Sequence, residues 1–183
     1  MNINSLKGIA SEIGSTDQRL SSLLTQMIDE GHRDNCVFVK SKSDLPPVDD
    51  GVIQLQDNTE YVINGLVNLG TDKIRYGTNS YIMGMNIIQD QILYMGTEEA
   101  LNSDQDGQIV GKWFNVIAPN GGAINFKQDQ SVQFNFEYVG FIGCSRVGVI
   151  DGFDVAAFKS CIMFGTPEYP AGDGVVFTGS PNK

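Results

Sequence analysis

Residues 114–135 read FNVIAPNGGAINFKQDQSVQFN, residues 136–157 read FEYVGFIGCSRVGVIDGFDVAA, and residues 158–179 read FKSCIMFGTPEYPAGDGVVFTG. Stacked at a shift of 22, these lines place Phe114, Phe136 and Phe158 in one column and Ile117, Val139 and Cys161 in another. Gly121, Gly143 and Gly165 make a third column, and Asp129, Asp151 and Asp173 a fourth. Gly152 falls on Gly174, although Gln130 breaks that column, and Ser131 is the misfit above Phe153 and Val175. A fixed period of this kind marks a stacked array, because a chain that retraces one circuit needs each side chain to suit the one below it. A buried Phe contributes roughly 1.5–3 kcal/mol, so a column of three is a real share of a core. No helical period runs inside the repeat, and the leucine pattern of leucine-rich repeats is missing. The period therefore predicts a β-solenoid of about 22 residues per coil, clearest over 114–179.

Working back from there, short runs of alternating character come at close intervals: Val52-Ile53-Gln54-Leu55, Tyr61-Val62-Ile63, Leu66-Val67-Asn68-Leu69, Lys73-Ile74-Arg75-Tyr76 and Ser80-Tyr81-Ile82-Met83. Asp-Asn, Asn-Gly and Gly-Thr steps separate them, as expected of short strands with frequent corners. Residues 52–183 are read as the solenoid. Residues 32–51 are a linker with a leading strand at Asn35–Lys40, then a rigid loop around Pro46 and Pro47, which cannot donate to a ladder. Glu98-Glu99-Ala100-Leu101 is at most one helical turn. The competing fold is a β-sandwich, with Asp57-Asn58 and Asn64-Gly65 as hairpin turns over residues 37–95.

Residues 1–31 read as an N-terminal α-helix. Leu6, Ile9, Ile13, Leu20, Leu23 and Met27, with Thr16 between them, fall at alternating steps of three and four, a heptad pattern over about three repeats. Two readings stay open: a coiled-coil or docking segment, and a single amphipathic helix packed on the rest of the chain. Ser15, Thr16 and Asp17 could also cap a second helix from Gln18.

The formal net charge is −10 with only 12 Lys and Arg, and no basic cluster is present to neutralise a run of phosphates. Nucleic acid and anionic membrane surfaces are therefore not expected partners. No run approaches the ~18 apolar residues of a membrane span, and Met1–Lys7 lacks the pattern of a secretory signal. Cys36, Cys144 and Cys161 are odd in number and unpatterned, which fits reduced, buried thiols of a cytoplasmic product.

The stretch from Val37-Phe38-Val39 through Asp44-Leu45-Pro46, Gly51–Leu55 and Thr59–Ile63 to Gly77-Thr78-Asn79 resembles the opening of β-helix proteins encoded by tailed bacteriophages. So do Gly148–Phe153 and Phe158–Phe164. The resemblance covers residues 37–179 loosely and rests on packing patterns. It implies an all-β, pectate-lyase-like, right-handed parallel β-helix, trimeric, in a tail fibre, spike or related appendage. That places the chain in a virion, made in the host cytoplasm, and docked to other virion proteins through its N-terminal helix. Many members are far longer and degrade polysaccharide, so host surface glycan is a further expected partner.

Chemistry is sparse. The Asp129, Asp151 and Asp173 column would space carboxylates about 5 Å apart, as in a retaining glycosidase pair, but Asp before Gly is ordinary turn chemistry. A calcium site at Asp104-Gln105-Asp106 with Glu98 and Glu99 lacks any known loop spacing. His32 is the only histidine, and neither a phosphate loop nor a dinucleotide fingerprint occurs. No catalytic, metal or cofactor residue is assigned. Trp113, Tyr138 and Tyr169 are candidate glycan contacts, since flat rings pack on the apolar faces of sugars. The last coil, Gly174-Val175-Val176-Phe177, has no evident cap, so its edge is expected to meet a partner or further chain.

Overall fold

In several strands of the computed structural model, burial alternates residue by residue, as in the Tyr81–Gly84 and Gln91–Tyr94 strands. That period of two lets a strand put one face into a core and the other into solvent. Described are residues 35–104, 108–127, 133–153, 155–167 and 170–178. The N-terminal helix expected over residues 1–31, with Leu6, Ile9, Ile13, Leu20, Leu23 and Met27, lies outside them, as do Tyr169 and Asp129.

Each coil after the first carries a strand in each of three parallel sheets. Sheet 1 contains β1 (Asn35–Val39), β4 (Thr59–Ile63), β7 (Tyr81–Gly84), β10 (Ile109–Lys112), β13 (Gln133–Glu137) and β16 (Val155–Lys159). Sheet 2 contains β5 (Leu66–Gly70), β8 (Gln91–Tyr94), β11 (Asn115–Ile117), β14 (Gly140–Ile142) and β17 (Ile162–Phe164). Sheet 3 contains β2 (Val48–Asp49), β3 (Val52–Gln54), β6 (Lys73–Arg75), β9 (Glu99–Ser103), β12 (Gly122–Lys127), β15 (Arg146–Asp151) and β18 (Asp173–Thr178). The chain visits sheets 1, 2 and 3 in turn, and every strand pairs in parallel with its equivalent one coil on; only β2 and β3 pair antiparallel. This is a parallel β-solenoid of about six turns, and a hairpin-built sandwich over residues 37–95 is ruled out. The first coil has no sheet 2 strand; a 3-10 turn at Lys42–Asp44 leads instead to Leu45, which is buried in the core.

The coil averages about 24 residues, not 22. Paired positions lie 21 residues apart at Val52 and Lys73 and 29 apart at Tyr81 and Val110. Strand lengths stay short and constant while corner lengths vary, so one shift cannot align the whole chain. Phe136 does face Phe158 at the predicted spacing, but the partner of Phe136 in the preceding coil is Gly111. Phe114 sits instead at the corner equivalent to Val139, as the Asn115–Gly140 pairing requires. The aspartate column also fails: Asp151 faces Thr178, and Asp173 faces Arg146. Glu99–Leu101 belongs to strand β9 rather than to a helical turn.

Aromatic rings nevertheless stack through the interior. Tyr76 packs edge-on to Phe126 at 5.6 Å, Phe126 lies 5.4 Å from Phe134, and Phe134 lies 4.6 Å from Phe136 and 4.9 Å from Phe158. Gly111 makes room for this. A Cβ there would sit 2.6 Å from the Phe136 ring, so only glycine fits beneath it. Cys144 is buried as expected, Cys161 is half-buried, and Cys36 is exposed, contrary to the expectation of three buried thiols.

Candidate functional site: an aromatic corner

The turn from sheet 1 to sheet 2 takes only two residues in the fourth, fifth and sixth coils: Trp113-Phe114, Tyr138-Val139 and Ser160-Cys161. A reversal this short needs one residue in the left-handed region. Trp113, Tyr138 and Ser160 take it, at φ 57°, 52° and 53°. The second residue of each pair then points inward; Phe114 and Val139 are fully buried. Backbone bonds tie the corners into a ladder. The Trp113 N–H donates to the Glu137 carbonyl at 3.1 Å, and the Tyr138 N–H to the Lys159 carbonyl at 2.9 Å.

For a bulky L-residue the left-handed region costs roughly 1–2 kcal/mol, which Gly would avoid. The fold thus holds a Trp and a Tyr on adjacent coils at positions where neither is the easy choice, and both remain about 40% exposed (42% and 41%).

A loop at residues 85–90, between β7 and β8, builds the third wall. Asp90 is 4% exposed. Its Oδ1 accepts the Gly65 N–H at 2.8 Å, and its Oδ2 accepts the N–H groups of Met85 at 2.6 Å and Asn86 at 2.7 Å. The Ile88 N–H donates to the Asn86 side chain at 2.9 Å, and the Asn115 side-chain amide donates to the Ile87 carbonyl. So tied, Met85, Asn86 and Ile87 join Trp113 and Tyr138 around a shallow, mainly apolar recess of about 400 Å³. Beside it runs a charged row. The Glu137 carboxylate takes the Lys159 ammonium at 2.5 Å and the Lys112 ammonium at 3.4 Å. Its bond to Lys159, reinforced by Lys112, holds the Glu137 carboxyl below the usual Glu range, and Glu137 in turn raises Lys159.

The arrangement offers two flat rings, an apolar floor and a charged rim. It can stack on a planar or ring-shaped ligand and hydrogen-bond its edges. It offers no paired carboxylates and no nucleophile with a base. Elsewhere, three acidic residues on or beside sheet 3 are paired with basic side chains. Glu98 pairs with Lys73, Glu99 with Arg146 at 2.7 Å, and Asp104 with Arg75 at 3.8 Å. No metal-binding cluster of His, Cys, Asp or Glu occurs among the described residues.

Of the three aromatics singled out in the sequence, Trp113 and Tyr138 thus come together at one corner. Sequence reasoning missed Met85, Asn86, Ile87 and Asp90. The available signal was an apolar run, Met85-Asn86-Ile87-Ile88, closed by Asp90 just before a strand, where a short acid can collect loop N–H groups. Comparison of the chain with protein-family models, curated proteins and solved structures finds no match in any of the three.

Proposed function

We propose that this chain is a structural component of a phage virion appendage, a tail fibre or spike, in which the solenoid serves as a stiff arm. The observation that carries the reading is the state of the sixth coil. Its three strands have an unpaired outer edge among the described residues, and Phe177, in the inward register of Ile150, is 61% exposed while packing edge-on to Phe158 at 6.3 Å. Open parallel edges over a hydrophobic interior are a template for pairing, so either further chain or a neighbour in a larger assembly is the natural cover. In this reading the solenoid is right-handed and pectate-lyase-like, as the resemblance implies, and three chains associate, with residues 1–31 registering them or docking to another virion protein. Immunogold labelling with antibody against residues 35–178, on particles from a culture encoding the chain, tests it. Label confined to the tail appendage is the expected result, and unlabelled particles overturn the reading.

A second reading, binding of host-surface glycan, is favoured by the strained, exposed Trp113 and Tyr138. Trp113 is the sole tryptophan, so its emission reports this corner alone. Titration with host polysaccharide should change that emission saturably, and Tyr138→Ala should abolish the change. An unaltered spectrum at saturating polysaccharide dismisses the reading.

A further inference from the structure

The chain contains two Asn-Gly steps, Asn64-Gly65 and Asn120-Gly121, and the fold treats them oppositely. At such a step the glycine nitrogen can close a five-membered ring on the asparagine side-chain carbon, because glycine has no Cβ to crowd the approach. At Asn120-Gly121 the structure opposes closure. The Asn120 carboxamide donates to the Met95 carbonyl at 3.0 Å, and the Gly121 N–H is turned to the Ala118 carbonyl at 3.2 Å. A Cβ built on Gly121 would sit 2.1 Å from the Glu98 carbonyl oxygen, so the backbone there has no room to move. Asn64-Gly65, the two-residue corner between β4 and β5, lacks these constraints. Asn64 is exposed, its carboxamide has no hydrogen-bond partner among the described residues, and a Cβ on Gly65 would meet nothing within 4 Å. What faces this step is a base. The Gly65 N–H donates to Asp90 Oδ1 at 2.8 Å, and Asp90 is 4% exposed.

We propose that Asn64-Gly65 is a site of self-modification in which Asp90 is the general base. A side chain can act as base on a proton whose heavy atom lies within about 2.6–3.2 Å, and Asp90 Oδ1 already stands in that range from the attacking nitrogen. Oδ1 takes the Gly65 amide proton as the nitrogen bonds to Asn64 Cγ. The Cγ–Nδ2 bond breaks, the proton passes to the departing nitrogen, and ammonia leaves. The product is a succinimide joining positions 64 and 65. Water then opens the ring at either carbonyl, giving an aspartate in the original main chain or an isoaspartate whose main chain runs through the β-carbon. Only water is consumed. Burial favours the step, since a carboxylate with little water around it acts on the N–H groups it faces in a low local dielectric. The same carboxylate holds Met85 and Asn86, which line the Trp113 recess. Isoaspartate at position 64 lengthens the corner by one main-chain atom and adds a charge next to the Asp90 contact, so the loop's anchorage weakens as the chain ages.

The chemistry depends on neither the virion setting nor a glycan. The test is incubation of the full chain at mildly alkaline pH, with peptide mapping by mass spectrometry for the amide-to-acid mass change and a parallel assay of released ammonia. In folded protein, position 64 should convert at least about ten-fold faster than position 120, since a placed general base contributes about 10²–10⁴. In concentrated urea, where the placement is lost, the two positions should convert alike. Asp90→Asn keeps the shape without the base and should slow conversion at 64 by about ten-fold or more, leaving 120 unchanged. If Asp90 only pinned the corner, that variant would loosen the backbone and speed conversion instead, so a faster or unchanged rate overturns the proposal. Asn64→Gln, which would need a six-membered ring, should abolish the mass change at this position with thermal unfolding close to wild type. Folded wild-type protein that converts both positions equally, or position 120 first, also overturns it, and that comparison requires no variant to fold.

Discussion

Asp90→Asn preserves shape almost atom for atom, yet it should cost nearly as much stability as Asp90→Ala. The wild-type carboxylate serves donors on two sides: Gly65 at one oxygen, Met85 and Asn86 at the other. An amide has one acceptor. With its oxygen toward Met85 and Asn86, its NH₂ confronts the Gly65 N–H. One bond is lost, one donor is stranded, and two charge-assisted bonds become neutral ones. Hydrogen bonds to charged groups contribute about 1.5–3 kcal/mol and neutral ones about 0.5–1.5, while a stranded buried donor costs about 1–3. Met85 and Asn86 are exposed and can relax toward water, so the sum settles at about 3 kcal/mol for Asn, within about 1 kcal/mol of Ala. Against a typical total of about 5–15 kcal/mol this is easily measured. Urea titration followed by Trp113 emission and by far-ultraviolet circular dichroism is the assay, with Trp113 emission shifting first because the loop lines its recess. An Asn variant within about 0.5 kcal/mol of wild type would refute the two-sided acceptor argument.

Tyr76 is fully buried, and no group among the described residues hydrogen-bonds its hydroxyl, whose ionisation burial pushes well above the ordinary range. Tyr76→Phe keeps the ring against Phe126 and removes that oxygen, so the urea midpoint should rise by the equivalent of about 1–2 kcal/mol; an unchanged or lower midpoint contradicts this. Burial pushes the Cys144 thiol up to about 11, so it stays protonated and shielded at neutral pH, whereas Cys36 is exposed. Brief alkylation of folded protein, mapped by mass spectrometry, should therefore modify Cys36 and spare Cys144 until denaturant is added. Because Glu137 titrates below its ordinary value of 4.5 in the folded chain, its contribution is complete above the usual Glu range and is lost as pH falls below that range through its lowered folded value. Melting temperatures of wild type and Lys159→Met should converge as acid protonates Glu137, with only a small gap near neutrality because the pair is exposed; a gap that widens in acid would contradict the sign.

Much of the architecture was written in local pattern. Alternation in runs such as Tyr61–Ile63 and Leu66–Leu69 marks strands whatever they pair with, because one face must reach a core. Glycine at 21 positions announces frequent corners, and a near-repeat of 22 residues is enough to say that the strands stack as coils. Register was not legible. A corner absorbs extra residues at little cost to the strands it joins, so only backbone pairing reveals that Phe136 rides over Gly111 and that Asp151 and Asp173 never meet. The same holds for the sites. Trp113 and Tyr138 are 25 residues apart, and nothing in that separation says they share a corner until Lys112 is seen to pair with Glu137. Likewise, Asn64-Gly65 and Asn120-Gly121 look like equivalent turn steps in the sequence. They become different because parallel stacking turns distant positions into neighbours about 4.8 Å apart and sets Asp90, just before β8, against the Gly65 N–H beside β5. Sequence by itself determined which residues extend, turn and seek a core; the tertiary stack alone decided which of them stand side by side, because contact between coils depends on summed corner lengths that no local pattern encodes.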